Sequence, residues 1–308
     1  MILRSHTQLT DVTLKDYSRN DDARLRELIH SLITHLHAFV RETRLTEAEF
    51  DMAITQISRL GQMTTPSHNE TRLMAGGLGL STLVCLLNNG DNGQTESSAN
   101  LLGPFWRDNS PDMEYGASIV RSDTEGTPLF VTGTVVDKQD RPVVGARVDV
   151  WHASPIGLYE NQDPEQAEMN LRGRFKTDKN GMFSFRSVRP AGYPTPMSGP
   201  VGQLYTIFRR QPFRPAHLHA LIVKDGFKTI ASQLYSSDDP HLECDPQFGV
   251  TQALVATYIL HKDETAPDRS FTGDWYSLEH RFVLEPGESR LPIAPVSAKR
   301  ETKADEPA

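Results

Sequence analysis

LFVTGTVVDKQDRPVVGARVDVWHA, residues 129–153, decides how most of this chain is read. In Val131-Thr-Gly-Thr-Val135 and again in Ala146-Arg-Val-Asp-Val150, apolar positions alternate with small or polar ones. That is the period of a strand with one face buried, so two strands joined by the turn KQDRP are expected. The rest of the second half repeats the pattern. RFKTDKNGMFSFRSV (174–188) reads as a hairpin around Asn180-Gly181, and HLHALIVKDGFKTIASQLY (217–235) as another turning at Asp225-Gly226. ALVATYILH (253–261) and WYSLEHRFVL (275–284) supply later strands. Short strands punctuated by turn signals predict an antiparallel β-sandwich over residues 115–290.

Working back from there, the period changes. In SRNDDARLRELIHSLITHLHAFVRET (18–43), the apolar residues Leu25, Leu28, Ile29, Leu32, Ile33, Leu36, Phe39 and Val40 recur at spacings of three and four. They form one buried face of a helix. Thr46 followed by Glu49 is a capping box that starts a second helix, running to about Leu60. A third helix is expected over about 70–88, where the glycines at 76, 77 and 79 weaken it or let something pack very close. Residues 88–114 form a connector, so residues 1–114 read as a helical N-terminal domain. The tail 291–308 is polar, lacks periodicity and is expected to be disordered. The fold class is therefore mainly β, with an α-helical N-terminal part.

Bulk properties exclude several function classes. The chain has 308 residues, 37 % of them hydrophobic and 23 % charged, and a net charge of −8. That balance argues against nucleic acid and anionic membrane as partners. The densest apolar run, residues 73–87, is too short and glycine-rich to span a bilayer. MILRSHTQLT lacks the layout of a signal peptide, and the two cysteines, Cys85 and Cys244, give no disulfide framework, so a cytoplasmic location is expected.

The tripeptide HLH occurs twice. On a helix, His35 and His37 project about 200° apart and cannot share a ligand. In a strand, His217 and His219 project from one face and can reach one ion. A zinc site would add a third His or an acid, and an Fe(II) triad a carboxylate, from candidates such as His241, Glu243 and Asp238. Tyr159 in GLYEN and Tyr193 in AGYPTP, read alone, are packing or turn residues.

Taken together, GLYEN (157–161), RPAGYPTPMSGPVGQL (189–204), RPAHLHALI (214–222) and IASQLY (230–235) resemble the intradiol ring-cleavage dioxygenases, and the match extends over nearly the whole chain. The resemblance implies one Fe(III) per chain, held by Tyr159, Tyr193, His217 and His219. It implies insertion of both atoms of O2 into a catechol-type ring, between the two hydroxylated carbons, to a cis,cis-muconate-type product. Tyr159 would stay on the metal, whereas Tyr193 would leave it and take a substrate proton. Arg214 and Gln233 match positions that the family uses beside the iron. Phenolate is a hard anionic donor that suits a hard trivalent ion.

The same resemblance implies a pocket lined by Leu73, Gly76, Leu102, Gly103, Phe105, Pro194, Thr195 and Gln247. The LGPF connector resembles the hydroxyquinol branch, so hydroxyquinol is the expected substrate, ahead of catechol or chlorocatechol. Gly76 and Gln247 depart from that branch, which carries an acid near the first position and an apolar residue at the second. The N-terminal helices are implied to form a homodimer with a phospholipid between them. Two other readings compete: a zinc or Fe(II) enzyme in which the tyrosines are bystanders, and a transthyretin-like binding sandwich suggested by residues 131–151.

Overall fold

The computed structural model describes residues 2–89 and 98–301. The expected connector therefore lies in part outside the described residues, as does the end of the tail. The chain divides into two compact units, residues 1–58 and 59–308.

In the first unit, α1 (Leu9–Tyr17) and α2 (Ala23–Thr43) pack together and α3 (Glu47–Gln62) begins. Asp22 caps α2 by accepting from the Leu25 N–H at 3.0 Å, and Arg44 ends it in the left-handed conformation. The capping box forms as read: Glu49 accepts from the Thr46 N–H at 2.9 Å and donates its own N–H to Thr46 Oγ1 at 3.3 Å. Helix α1 is absent from the sequence reading. It meets α2 through Thr10, whose hydroxyl is 3.0 Å from His37 Nδ1. The stripe read as buried is instead exposed on the single chain, Leu32 by 54 % and Leu36 by 53 %.

The third expected helix is two. α4 (Glu70–Gly77) and α5 (Leu80–Asn89) meet at a 72° bend, where Gly79 takes φ +74°. No single described helix is long and apolar enough to cross a membrane. These helices belong with the sandwich: Leu73 packs on Val201 and Tyr205 of α6 (Pro200–Ile207), a helix the periodicity did not reveal. Glu70 Oε1 accepts the Val201 N–H at 2.9 Å and so caps α6 from another helix.

The sandwich holds β1 (Pro128–Asp137), β2 (Arg147–His152), β3 (Arg172–Lys176), β4 (Met182–Val188), β5 (Tyr193–Pro194), β6 (Phe213–Arg214), β7 (His217–Val223), β8 (Ile230–Ser236), β9 (Val255–Ala256), β10 (Ile259–His261) and β11 (Trp275–Leu284). One sheet runs β10-β11-β1-β4 and the other β3-β2-β7-β8-β9, with β5 and β6 paired apart. The β1–β11 and β8–β9 pairings are parallel, and the others antiparallel. The 217–235 hairpin forms as read, with His219 opposite Gln233. The 174–188 segment does not. It turns at Gly181, where Asp178 accepts the N–H groups of Asn180 and Met182 at 2.8 Å each, but β3 joins β2 and β4 joins β1. The turn is thus a corner between sheets, which lets Phe175, Phe183 and Phe185 enter one core. Val131, Val135 and Phe282 meet Val148, Ile222 and Leu234 there, each worth about 1.5–3 kcal/mol of burial.

Residues 291–301 are also ordered, contrary to the expected disorder. They form a strap without regular structure, held by backbone groups rather than by a side-chain pattern. Ser297 and Ala298 donate to Pro66 O at 2.8 and 3.0 Å, and Arg300 donates to Asn161 O at 2.9 Å. Val296 is 2 % exposed. Truncation after Arg290 is expected to lower the apparent Tm by at least about 5 °C, given the loss of one buried side chain and several hydrogen bonds. An unchanged melting curve would show that the strap contributes nothing.

Candidate metal centre

β7 is buried on both faces. Leu218, Ala220 and Ile222 enter the core, while His217, His219 and Leu221 face away from it. The outer face is roofed by Phe105 and Trp106 from LLGPFW, by Tyr159 after β2, and by Tyr193 on β5. The pairing of Trp151 with His219 stacks the two rings at 4.5 Å and 9°. Phe105 stacks on Tyr159 at 4.5 Å. Flat neighbours on both rings leave each only one orientation.

Four donor atoms converge under this roof. Tyr159 Oη lies 3.1 Å from Tyr193 Oη, 3.4 Å from His217 Nε2 and 3.0 Å from His219 Nε2. Tyr193 Oη lies 3.4 Å from His217 Nε2, and the two Nε2 atoms are 3.2 Å apart. His217 Nδ1 donates to Pro215 O at 2.6 Å, which leaves Nε2 a lone pair aimed at the cluster. The Nδ1 of His219 is buried without a partner. Five of the six pairs among these four atoms thus lie within 3.4 Å, a closer mutual packing than a chain of hydrogen bonds requires. Ligand atoms about 3–3.4 Å apart are the spacing set by metal bonds of about 2.0–2.2 Å at near-tetrahedral or right angles. The donor set therefore fits a hard cation.

The electrostatics agree. Burial is the main cause that lowers His217, to about 3, with the Arg214 charge adding to it. Burial, and then His217, holds His219 well below the ordinary value. Both imidazoles are thus neutral ligands at any ordinary pH. Burial raises the phenol of Tyr159 well above its usual range, and neighbouring Tyr193 raises it further. Burial likewise raises Tyr193, against the pull of Arg214. Neither phenol ionises there without a cation.

Arg214 lies 3.2 Å from His217 Nε2 through Nη1. It donates to Asp245 from Nε at 2.9 Å and Nη2 at 3.1 Å, and from Nη2 to Gln233 Oε1 and Tyr235 Oη, both at 2.9 Å. Gln233 in turn donates to Leu101 O at 2.7 Å, which ties the connector to the sheet. Behind Tyr159, buried Arg172 donates to Glu160 at 2.7 Å, Phe105 O at 2.7 Å and Asn161 at 2.8 Å. Trp151, Asp245, Tyr235 and Arg172 escaped sequence reasoning, because only the strand register and the loop path bring them here.

The expected pocket residues divide. Leu102, Gly103 and Gln247 line a cavity of about 440 Å³, while Pro194 and Thr195 line another of about 390 Å³ with Leu158 and Arg300. Leu73 faces α6, and Phe105 faces Tyr159. Gly76 is buried against Gln247. Among the described residues no group of three or more His, Cys, Asp or Glu is placed to hold a metal, so His241, Glu243 and Asp238 complete no site with the HLH pair.

Comparison with known proteins agrees with this geometry. The family model described as dioxygenase matches residues 101–286, and that of the catechol dioxygenase N terminus matches residues 22–95. The chain is 38 % identical to a hydroxyquinol 1,2-dioxygenase of Rhizobium sp. (strain MTP-10005), over 86 % of this chain and 90 % of that protein. It is 36 % identical to a catechol 1,2-dioxygenase of Candida albicans, over 80 % of this chain and 82 % of that one. Among solved structures, the hydroxyquinol 1,2-dioxygenase of Pseudomonas putida DLL-E4 superposes with a TM-score of 0.77 at 34 % identity, covering 91 % of this chain and 98 % of the other. With the dioxygenase model matched over more than half of the chain and the relatives aligned over most of their own length, this chain belongs to the intradiol ring-cleaving dioxygenases of the hydroxyquinol and catechol group, a family that uses non-haem iron.

Proposed function

We propose that this protein carries one Fe(III) on Tyr159, Tyr193, His217 and His219, and cleaves hydroxyquinol between its two adjacent hydroxylated carbons. The observation that carries this reading is the convergence of two phenol oxygens and two imidazole nitrogens at 3.0–3.4 Å in a buried site. Several curated relatives are named for hydroxyquinol, one for 6-chlorohydroxyquinol and one for catechol, which ranks the substrates in that order of support. When bound, ferric iron supplies Lewis-acid binding of both diol oxygens and activates the ring toward O2.

The chain's own groups do the rest. Tyr193, which would be one of the metal's ligands, sits on the two-residue strand Tyr193–Pro194 after Gly192, a short element that suits it to move and to accept a substrate proton at Oη. Tyr159, wedged by Phe105, stays in place. The Arg214 guanidinium is locked by Asp245 and stabilises negative charge that develops on the ring. Phe105 and Trp151 exclude water from the ligands. The exposed stripe on α2 is the surface through which two copies pair, with a phospholipid as the apolar filler between them.

The reconstituted protein is expected to show a broad visible tyrosinate-to-iron band and one iron per chain. Tyr159→Phe and His219→Ala should each lose stable iron, and a variant that keeps both iron and full turnover removes that residue from the site. Arg214→Lys keeps the charge but loses the fork. It should retain iron while kcat/KM falls about 10²–10³-fold, and a loss under about threefold would exclude the proposed role. Light scattering should give a dimer mass that Leu32→Glu converts to a monomer; a monomeric parent protein would refute the pairing.

A further inference from the structure

Gly76 and Gln247 are far apart in sequence and share one volume. A Cβ on Gly76 would lie 2.7 Å from Gln247 Oε1 and 2.9 Å from Cδ, so the carboxamide fills the space that a side chain at 76 would take. Gln247 is 2 % exposed. Its backbone is satisfied: the N–H donates to Asp245 Oδ1 at 3.3 Å and the carbonyl accepts from Thr82 at 3.0 Å. The carboxamide itself has no hydrogen-bond partner among the described residues. The amide is instead open to the cavity that Gln247 lines, so its donors and acceptor are available to whatever enters that space.

The unpaired group borders a cavity. Gln247 lines the space of about 440 Å³ whose other walls include Leu80, Val84, Leu102 and Leu221. Gly103, also on its wall, backs directly onto the metal centre: a Cβ there would lie 3.2 Å from His219 Cε1. A ring held at the centre by two oxygens would turn its far edge toward this space, whose walls mix apolar side chains with polar ones. The amides of Asn88, Asn89 and Asn100 on that wall already donate to the carbonyls of Val84, Cys85 and Gly249, whereas that of Gln247 donates to no protein group among the described residues. A carboxamide offers one acceptor and two donors. A ring hydroxyl can use both functions, whereas a halogen or methyl group uses neither.

We propose that Gln247, seated over Gly76, is a specificity-determining residue that hydrogen-bonds a further ring hydroxyl of the substrate. The inference rests on the iron-centred reading above and goes beyond it by naming the group that selects a triol over a diol. It also makes positions 76 and 247 one unit, since any side chain at 76 displaces the carboxamide.

The test compares iron-loaded parent, Gln247→Met and Gly76→Ala. Methionine fills the same space without the amide, and the alanine methyl pushes the amide away. For each protein, kcat/KM is measured with benzene-1,2,4-triol and with catechol, and anaerobic binding of both is followed by the shift of the visible band. The triol-to-catechol ratio should exceed one in the parent and fall about tenfold in Gln247→Met, in both turnover and binding. Gly76→Ala should move it the same way. A parent that favours catechol, or a ratio unchanged in both variants while the visible band is intact, overturns the proposal and leaves the iron centre standing. A parent with no visible band removes the centre and the proposal together.

Discussion

The pleat of β7 is the constraint on which the site depends. It sends Leu218, Ala220 and Ile222 into the sandwich and His217 and His219 to the other side, so the same seven residues build the core and the ligand pair. A face with two imidazoles is tolerable under a dry roof only if something satisfies their lone pairs. The two tyrosines do so in part, but burial raises both phenols above their ordinary pKa, Tyr159 well above it. The arrangement is electrostatically incomplete by construction. A cation lowers the energy of all four groups at once, by allowing the phenols to ionise and the imidazoles to donate.

Holding that incomplete cluster in place requires charge elsewhere. Arg214 is fully buried and stays protonated because Asp245 answers it through two hydrogen bonds; burial alone would raise the carboxyl, and the guanidinium holds it below its usual range. Arg172 and Glu160 form a second buried pair beneath Tyr159. Such pairs contribute little net stability compared with apolar packing, and removing one partner is costly. What they supply here is direction. One fixes a guanidinium beside His217, and the other ties the Tyr159 loop to the backbone of Phe105, whose ring in turn wedges Tyr159.

Much of this was legible in the residues, and the failures share a cause. Period two located the strands, and the hairpin at Asp225-Gly226 put both histidines on one face. The turn at Asn180-Gly181 was equally clear, yet a local turn says nothing about which sheet each arm joins, and its arms part. The spacing from Leu25 to Val40 showed an amphipathic helix, not what covers its apolar side. The strap at 291–301 had no periodicity because main-chain groups hold it. Tyr159 and Tyr193 were ordinary loop tyrosines until the resemblance linked them to the histidines, and it is the 3.1 Å between their hydroxyls that makes them a pair.

Gly103 shows how closely the wall of the cavity and the metal centre are joined. Its φ of +75° favours glycine on backbone grounds alone, and the His219 ring behind it denies room for a side chain. The connector can therefore vary at Leu102, which faces the cavity, but not one residue later without pressing on a ligand. Opposite, the volume between Gly76 and Gln247 touches no ligand and can be filled from either side. Selectivity in this fold is thus free to change where two elements share a space away from the imidazoles. It is fixed where the backbone of the roof lies directly on them.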